Sequence, residues 1–258
     1  MRSGGFLGPN ALSWSASHCE RRAEDYAAIR DIVARCYQLV PERIEVDDPE
    51  RATVLLTLYV RALEFLQSVI VLVQKGMLAP AHTALRAMVE VVFVFVACHK
   101  EDRNVHEFLR QHEHRKLTTI RQARRTESED LADFRSKANA QPYDEIKLAT
   151  SDSGQIGTAE WAKRAGLHDC YLTVYAALSG FAHPTVANLL RYRTAPSDFH
   201  IGPSERDADI LLGTALQYLC EVVERFLSEH DANSTAPISE WRHLAHTLVA
   251  RSPVEGSG

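Results

Sequence analysis

Two short patterns carry residue types suited to proton and charge chemistry. In "LRAMVEVVFVFVAC", Arg86 and Glu90 stand four residues apart, and Glu90 is the only charge between positions 87 and 98. In "YAALSGFAHPTVANLL", Tyr175, Ser179 and His183 recur at the same four-residue interval. On a helix that spacing places side chains on one face, so each pattern presents a polar stripe on an otherwise apolar rod. A histidine titrates near neutrality and suits general acid–base work. An arginine stabilises a phosphate or an oxyanion, and a carboxylate orients its neighbours. As an enzyme, the chain would use His183 as acid–base, Arg86 as anion ligand, Glu90 to orient either of them, and Ser179 as their hydroxyl partner.

The same residues admit a structural reading. Charge inside a core is costly unless it is paired and hydrogen-bonded. The apolar run "YVRALEFLQSV" repeats the oddity with Arg61 and Glu64. An antiparallel hairpin turning at 77–78 would bring Glu64 level with Glu90 and set Arg61 roughly one turn away. Arg61, Glu64 and Tyr175 are therefore further pocket candidates. An ion network of two arginines and two glutamates competes with a catalytic or ligand-binding site, and both readings stand at this point. A non-catalytic helical module that binds protein partners or RNA is the competing function.

The elements that must position these residues read as helices, and no strand alternation stands out. Expected helices cover 19–40, 48–75, 80–99, a long polar stretch at 102–138, 158–165, 168–182, 205–231 and 237–250. Asp48 and Pro49 suit the start of the second of these, and Gly76 suits its end. Residues 139–157 and 194–204 read as loops, and Pro184 breaks or kinks the helix that carries His183. The expected architecture is all-α: a bundle of about seven to nine helices with long antiparallel core helices. Residues 1–18 read as a flexible N-terminal arm, 19–231 as one bundle domain, and 232–258 as a C-terminal helix with a disordered tail.

Composition narrows the function classes. Of 258 residues, 45% are hydrophobic and 24% charged, ordinary values for a soluble globular protein. The net charge of −5 argues against a surface that coats nucleic acid or anionic membrane as a whole. The five cysteines are scattered without C-x-x-C spacing, which points to reduced thiols in a cytoplasmic chain. The N-terminus lacks a continuous apolar segment of signal-peptide length. Residues 53–73 and 87–98 are greasy, but the first carries Arg61 and Glu64 and the second is too short to span. Both read as core helices, with no membrane partner.

At the two polar patterns the sequence resembles a known group. The segments "LRAMVE" and "YAALSGFAHPT" resemble an uncharacterised bacterial helical family with an Arg-x-x-x-Glu helix and a Ser-x-x-x-His segment. That family is similar in turn to the HEPN superfamily of helical bundles, many of which are RNA-cleaving toxins or defence proteins. The resemblance implies an all-α homodimer acting on RNA. HEPN ribonucleases carry an arginine a few residues ahead of a histidine at a helix end. The nearest such spacing here is Arg193 to His200 in "RTAPSDFH", a segment that does not read as helix.

One other stretch bears on RNA. "EFLRQHEHRKLTTIRQARR" sets Arg110, His114, Arg121 and Arg125 along one helical stripe, able to follow a phosphate backbone. A solvated helix face is the plainer account. His106, His112 and His114 do not converge on one metal, since 112 and 114 face different sides of a helix. No phosphate-cradling glycine loop, nucleophile elbow or H-E-x-x-H pattern occurs, so no cofactor or metal is expected.

Overall fold

The computed structural model describes residues 5–40, 48–149, 154–182, 186, 192–195, 198–199, 202–230 and 237–251. Helix follows helix. α1 (Pro9–Arg21) and α2 (Ala23–Gln38) precede the long hairpin of α3 (Pro49–Gln74) and α4 (Leu78–Lys100). Next come α5 (Asp102–Arg124), a 3-10 turn, α6 (Ala132–Asn139), α7 (Tyr143–Ala149) and α8 (Thr158–Ala165). α9 (His168–Cys170), a π-helical turn (Tyr171–Tyr175) and α10 (Ala176–Ala182) run on without interruption. α11 (Ala208–His230) and α12 (Ile238–Arg251) complete the described chain. The fold is an all-α bundle.

The ends of α3 show how the sequence sets it. Pro49 occupies the first turn, and the Asp48 carboxylate accepts from the Arg51 backbone N–H at 3.0 Å, satisfying one of the orphan donors. Gly76 stops the helix at φ +68, where a Cβ would come within 2.7 Å of the Pro203 backbone. Only glycine meets both demands. The turn returns the chain as α4, which packs along α3, while α11 lies against both and is covered by α12.

The core follows from that packing. Leu63, Leu66, Met88, Val92, Phe93, Leu212, Leu216 and Phe226 are fully buried within one continuous cluster. α3 and α4 are long and apolar enough to cross a membrane by length and composition alone. Inside this bundle 50% and 61% of their most apolar windows are buried, as in the core hairpin of a folded domain.

Several expected boundaries move. The expected N-terminal arm is helical from Pro9, and α1 buries Ala11, Ser15 and His18. Its inward positions are small or polar, so hydrophobic periodicity does not reveal them. The long polar helix ends at Arg124, and Tyr143–Ala149 is helix inside the expected 139–157 loop. β1 (Arg193–Ala195) and β2 (Asp198–Phe199) pair antiparallel within the expected 194–204 loop, the one strand pairing among the described residues.

Candidate functional site

α4 packs against α10, and its Arg86 and Glu90 reach Tyr175 at the end of the π-helical turn. Arg86 Nε donates to Ser179 Oγ at 3.1 Å. One terminal guanidinium nitrogen donates to Tyr175 Oη at 2.7 Å and pairs with Glu90 Oε1 at 3.0 Å. The Tyr175 hydroxyl donates in turn to Glu90 Oε1 at 2.6 Å, closing a three-membered ring of contacts. The Arg86 guanidinium also lies over the Tyr175 ring, 5.0 Å from its centroid, a favourable cation–π arrangement. Four of the expected site residues thus meet.

Access matters as much as pairing. The Arg86 side chain is 26% exposed and that of Glu90 38%, so the cluster is fixed by protein yet reached by water. The π-helical turn ends on Tyr175. Such turns insert an extra residue into a helix and occur frequently at functional sites. Tyr171 stacks on Tyr175 with centroids 5.1 Å apart, and His168 stacks on Tyr171 at 6.0 Å, so the Tyr175 ring is held from behind.

One turn before Arg86 stands a residue that the sequence reading passed over. His82 is buried, and its Nδ1 donates to the Leu78 carbonyl at 2.7 Å. Its ring stacks on Phe181 at 3.7 Å, and Nε2 lies 3.6 Å from Asp207 Oδ2. His82, Arg86 and Glu90 therefore form one i, i+4, i+8 stripe against α10 and the approach to α11. That spacing was visible in "AHTALRAMVE", but Phe181 and Asp207 become its partners only in three dimensions.

Arg61 and Glu64 do not join the pocket. They pair with each other at 2.8 Å on the outer side of α3, with side chains 56% and 51% exposed. Arg61 also lies over Phe65, 4.5 Å from the ring centroid. A hairpin register fixes level along the axis but not rotation about it, and rotation carries this pair outward. His183, the acid–base of the enzyme reading, lies outside the described residues, as do Pro184 and His200.

The α5 stripe is divided among different tasks. Arg110, Arg121 and Arg125 are exposed. Arg121 Nε donates to Tyr143 Oη at 3.2 Å, while Arg124 holds the carbonyls of Ala138, Asn139 and Gln141. A small satellite core of Leu117, Ile120, Ala123, Ala138 and Ile146 lies beneath them. Among the described residues no group of three or more His, Cys, Asp or Glu is placed to hold a metal ion. All five thiols are free. Burial pushes the Cys36 and Cys98 thiols up to about 12 and Cys220 to about 11, too high for a thiolate nucleophile near neutrality.

A second buried histidine has a defined hydrogen-bonding state. His18 Nδ1 lies 3.0 Å from Glu205 Oε2, and Nε2 lies 2.9 Å from Tyr26 Oη. The carboxylate only accepts, so Nδ1 carries the proton and Nε2 accepts from the Tyr26 hydroxyl. Desolvation holds His18 below its ordinary value against the opposing pull of Glu205. Trp14 stacks on its other side. Arg22, beside it, pairs with Asp209, so the α1–α2 corner is tied to the start of α11.

These features define the chain as an all-α bundle with a half-open Arg–Glu–Tyr–Ser cluster on its core hairpin. It belongs to the DUF5677 family of unknown function, whose model matches residues 52–200 and so spans both halves of the cluster. No curated protein and no solved structure matches the chain.

Proposed function

We propose that the Arg86–Glu90–Tyr175–Ser179 cluster is the anion-binding half of an RNA-cleaving site, in a cytoplasmic, HEPN-like protein of the defence or toxin type. One observation carries the reading: Arg86 is held by three side chains and still reaches solvent. Catalysis by electrostatic stabilisation needs such a charge, fixed beforehand where negative charge will develop. In this reading the RNA 2′-hydroxyl attacks the adjacent phosphorus and His183 accepts its proton. His183 returns that proton to the departing 5′ oxygen, which leaves a cyclic phosphate, while Arg86 stabilises the charge on the non-bridging oxygens. Glu90 and Tyr175 keep the guanidinium in place. The exposed arginines Arg121 and Arg125 supply contacts to the phosphate backbone, and the working unit is a homodimer.

The test is expression of the parent chain and of His183→Gln at equal level. The reading expects growth arrest from the parent, none from the variant, and variant protein of unchanged thermal stability. Full arrest by a folded His183→Gln protein would overturn it. Two side measurements belong with it. Light scattering should give about twice 28.9 kDa, and a mass of one chain at all micromolar concentrations would remove the dimer. Arg121→Glu with Arg125→Glu should weaken RNA binding at low salt and flatten its salt dependence; unchanged affinity would return both residues to a plain solvated face.

The alternative is a non-catalytic helical module in which the cluster joins α4 to α10. Its support is that Arg86 donates to Ser179 and Tyr175 and pairs with Glu90, contacts that tie α4 to the π-helical turn and α10. Under that reading His183→Gln changes no activity, and loss of Glu90 costs only stability.

A further inference from the structure

α5 and α8 form the walls of a cleft of about 420 Å³ that shares no lining residue with the Arg86 cluster. Its floor is held by Gln111, a buried side chain whose amide donates to the Gly154 carbonyl at 3.0 Å. The amide oxygen of Gln111 accepts from the Ile156 N–H at 2.9 Å. A buried amide that binds both polar groups of a loop fixes that loop against the helix. The volume lies within the range of small-molecule sites.

The charges on the two walls are arranged in a telling way. α5 contributes Glu107 and Arg110, and α8 contributes Glu160 and Arg164. One cross-pair is closed: Arg164 donates to Glu107 and also reaches Asn104 Oδ1 at 3.0 Å. The other cross-pair is open. Arg110 donates only to the His106 carbonyl of its own helix, at 3.4 Å, and has no carboxylate within 4.0 Å among the described residues. Glu160 is half-exposed and engages Arg164 through Oε1 at 3.1 Å, which leaves its second oxygen available.

The cleft therefore offers a cation on one wall and an anion on the other, with equal numbers of each sign in all. A simple anion would be drawn to Arg110 but repelled by Glu160 and Glu107, and a simple cation would meet the reverse. A molecule carrying both charges a short distance apart satisfies both walls. We propose that this cleft binds a free α-amino acid, its carboxylate on Arg110, its ammonium on Glu160, and its side chain toward Ile156. The site is independent of the proposed RNA chemistry.

The experiment titrates each of the twenty α-amino acids separately into the full chain by calorimetry, with thermal unfolding in parallel. The partners for the best binder are its N-acetyl derivative and its carboxamide. We expect saturable binding of at least one free amino acid and a loss of at least about tenfold for either blocked form. Arg110→Gln and Glu160→Gln, both at exposed positions, should each fold normally and lose a similar factor. No binding by any amino acid overturns the proposal. So does equal binding of the blocked forms, or affinity that survives both substitutions.

Discussion

The chain holds two Arg–Glu pairs in two apolar helices, and the fold treats them in opposite ways. Arg61 and Glu64, three residues apart on α3, turn outward and meet each other, with the Arg61 guanidinium over the Phe65 ring. Arg86 and Glu90, four apart on α4, turn toward the π-helical turn and α10, where Tyr175 and Ser179 take up their hydrogen bonds. Residue types and apolar surroundings are nearly the same. What differs is the element lying across. A charge pair is fixed in place when a second element offers hydroxyls to hold it, and an exposed pair without such partners contributes little.

The two arginines differ most in the rings beneath them. Each arginine lies over one aromatic side chain, but Tyr175 is buried and Phe65 is not. Tyr175→Ala removes core packing and the bridging hydroxyl together, and should cost about 3–5 kcal/mol. Phe65→Ala should cost about 1 kcal/mol. Denaturant unfolding of both variants measures this, and equal losses would erase the distinction.

Next come the carboxylates. Glu90→Leu leaves Arg86 and Tyr175 without their acceptor and should cost about 1.5–3 kcal/mol, as for a lost hydrogen bond to a charged group. In a fully buried ion network, removal of one partner would cost about 3–5 kcal/mol. Partial exposure lowers that figure, because water can solvate the remaining arginine. Glu64→Leu should stay within about 0.5 kcal/mol of the parent.

A smaller effect sharpens the contrast between a site open to water and a buried polar group. His18 sits below its ordinary value of 6.5 in the folded chain, chiefly through desolvation. Its contribution to stability is therefore fully present above about 6.5, the unfolded value. It is lost as the pH falls through the lower folded value. Glu205 is also held below its ordinary value, first by its hydrogen bond to His18, and acts in the same direction at more acid pH. Thermal unfolding from pH 7.5 to 5.5 should show falling stability, with a shallower fall in His18→Asn. A parent that gains stability on acidification would contradict this assignment.

Much of this arrangement was legible in the chain itself, for identifiable reasons. Asp48, Pro49 and Gly76 are local signals whose physics acts within a few residues, and they mark both ends of α3. The four-residue spacings of Arg86 with Glu90 and of Tyr175 with Ser179 declare one face each, and the two faces meet. The outward turn of Arg61 and Glu64 was not legible, since rotation about α3 depends on α4 and α11 together. Nor was α1, whose inward face is built from Ala11, Ser15 and His18. That Arg110 and Glu160 line one cleft depends on how α5 and α8 are brought together, which no local pattern encodes.

In the proposed function, Arg86 serves a site and Arg61 a surface. Cleavage of a labelled single-stranded RNA by purified parent, Arg86→Gln and Arg61→Gln proteins tests it most directly. The parent should cleave, and Arg61→Gln should cleave equally well. Arg86→Gln should lose at least about a hundredfold in rate while remaining folded by circular dichroism. An inactive parent, or a folded Arg86→Gln protein that cleaves as fast as the parent, would contradict it.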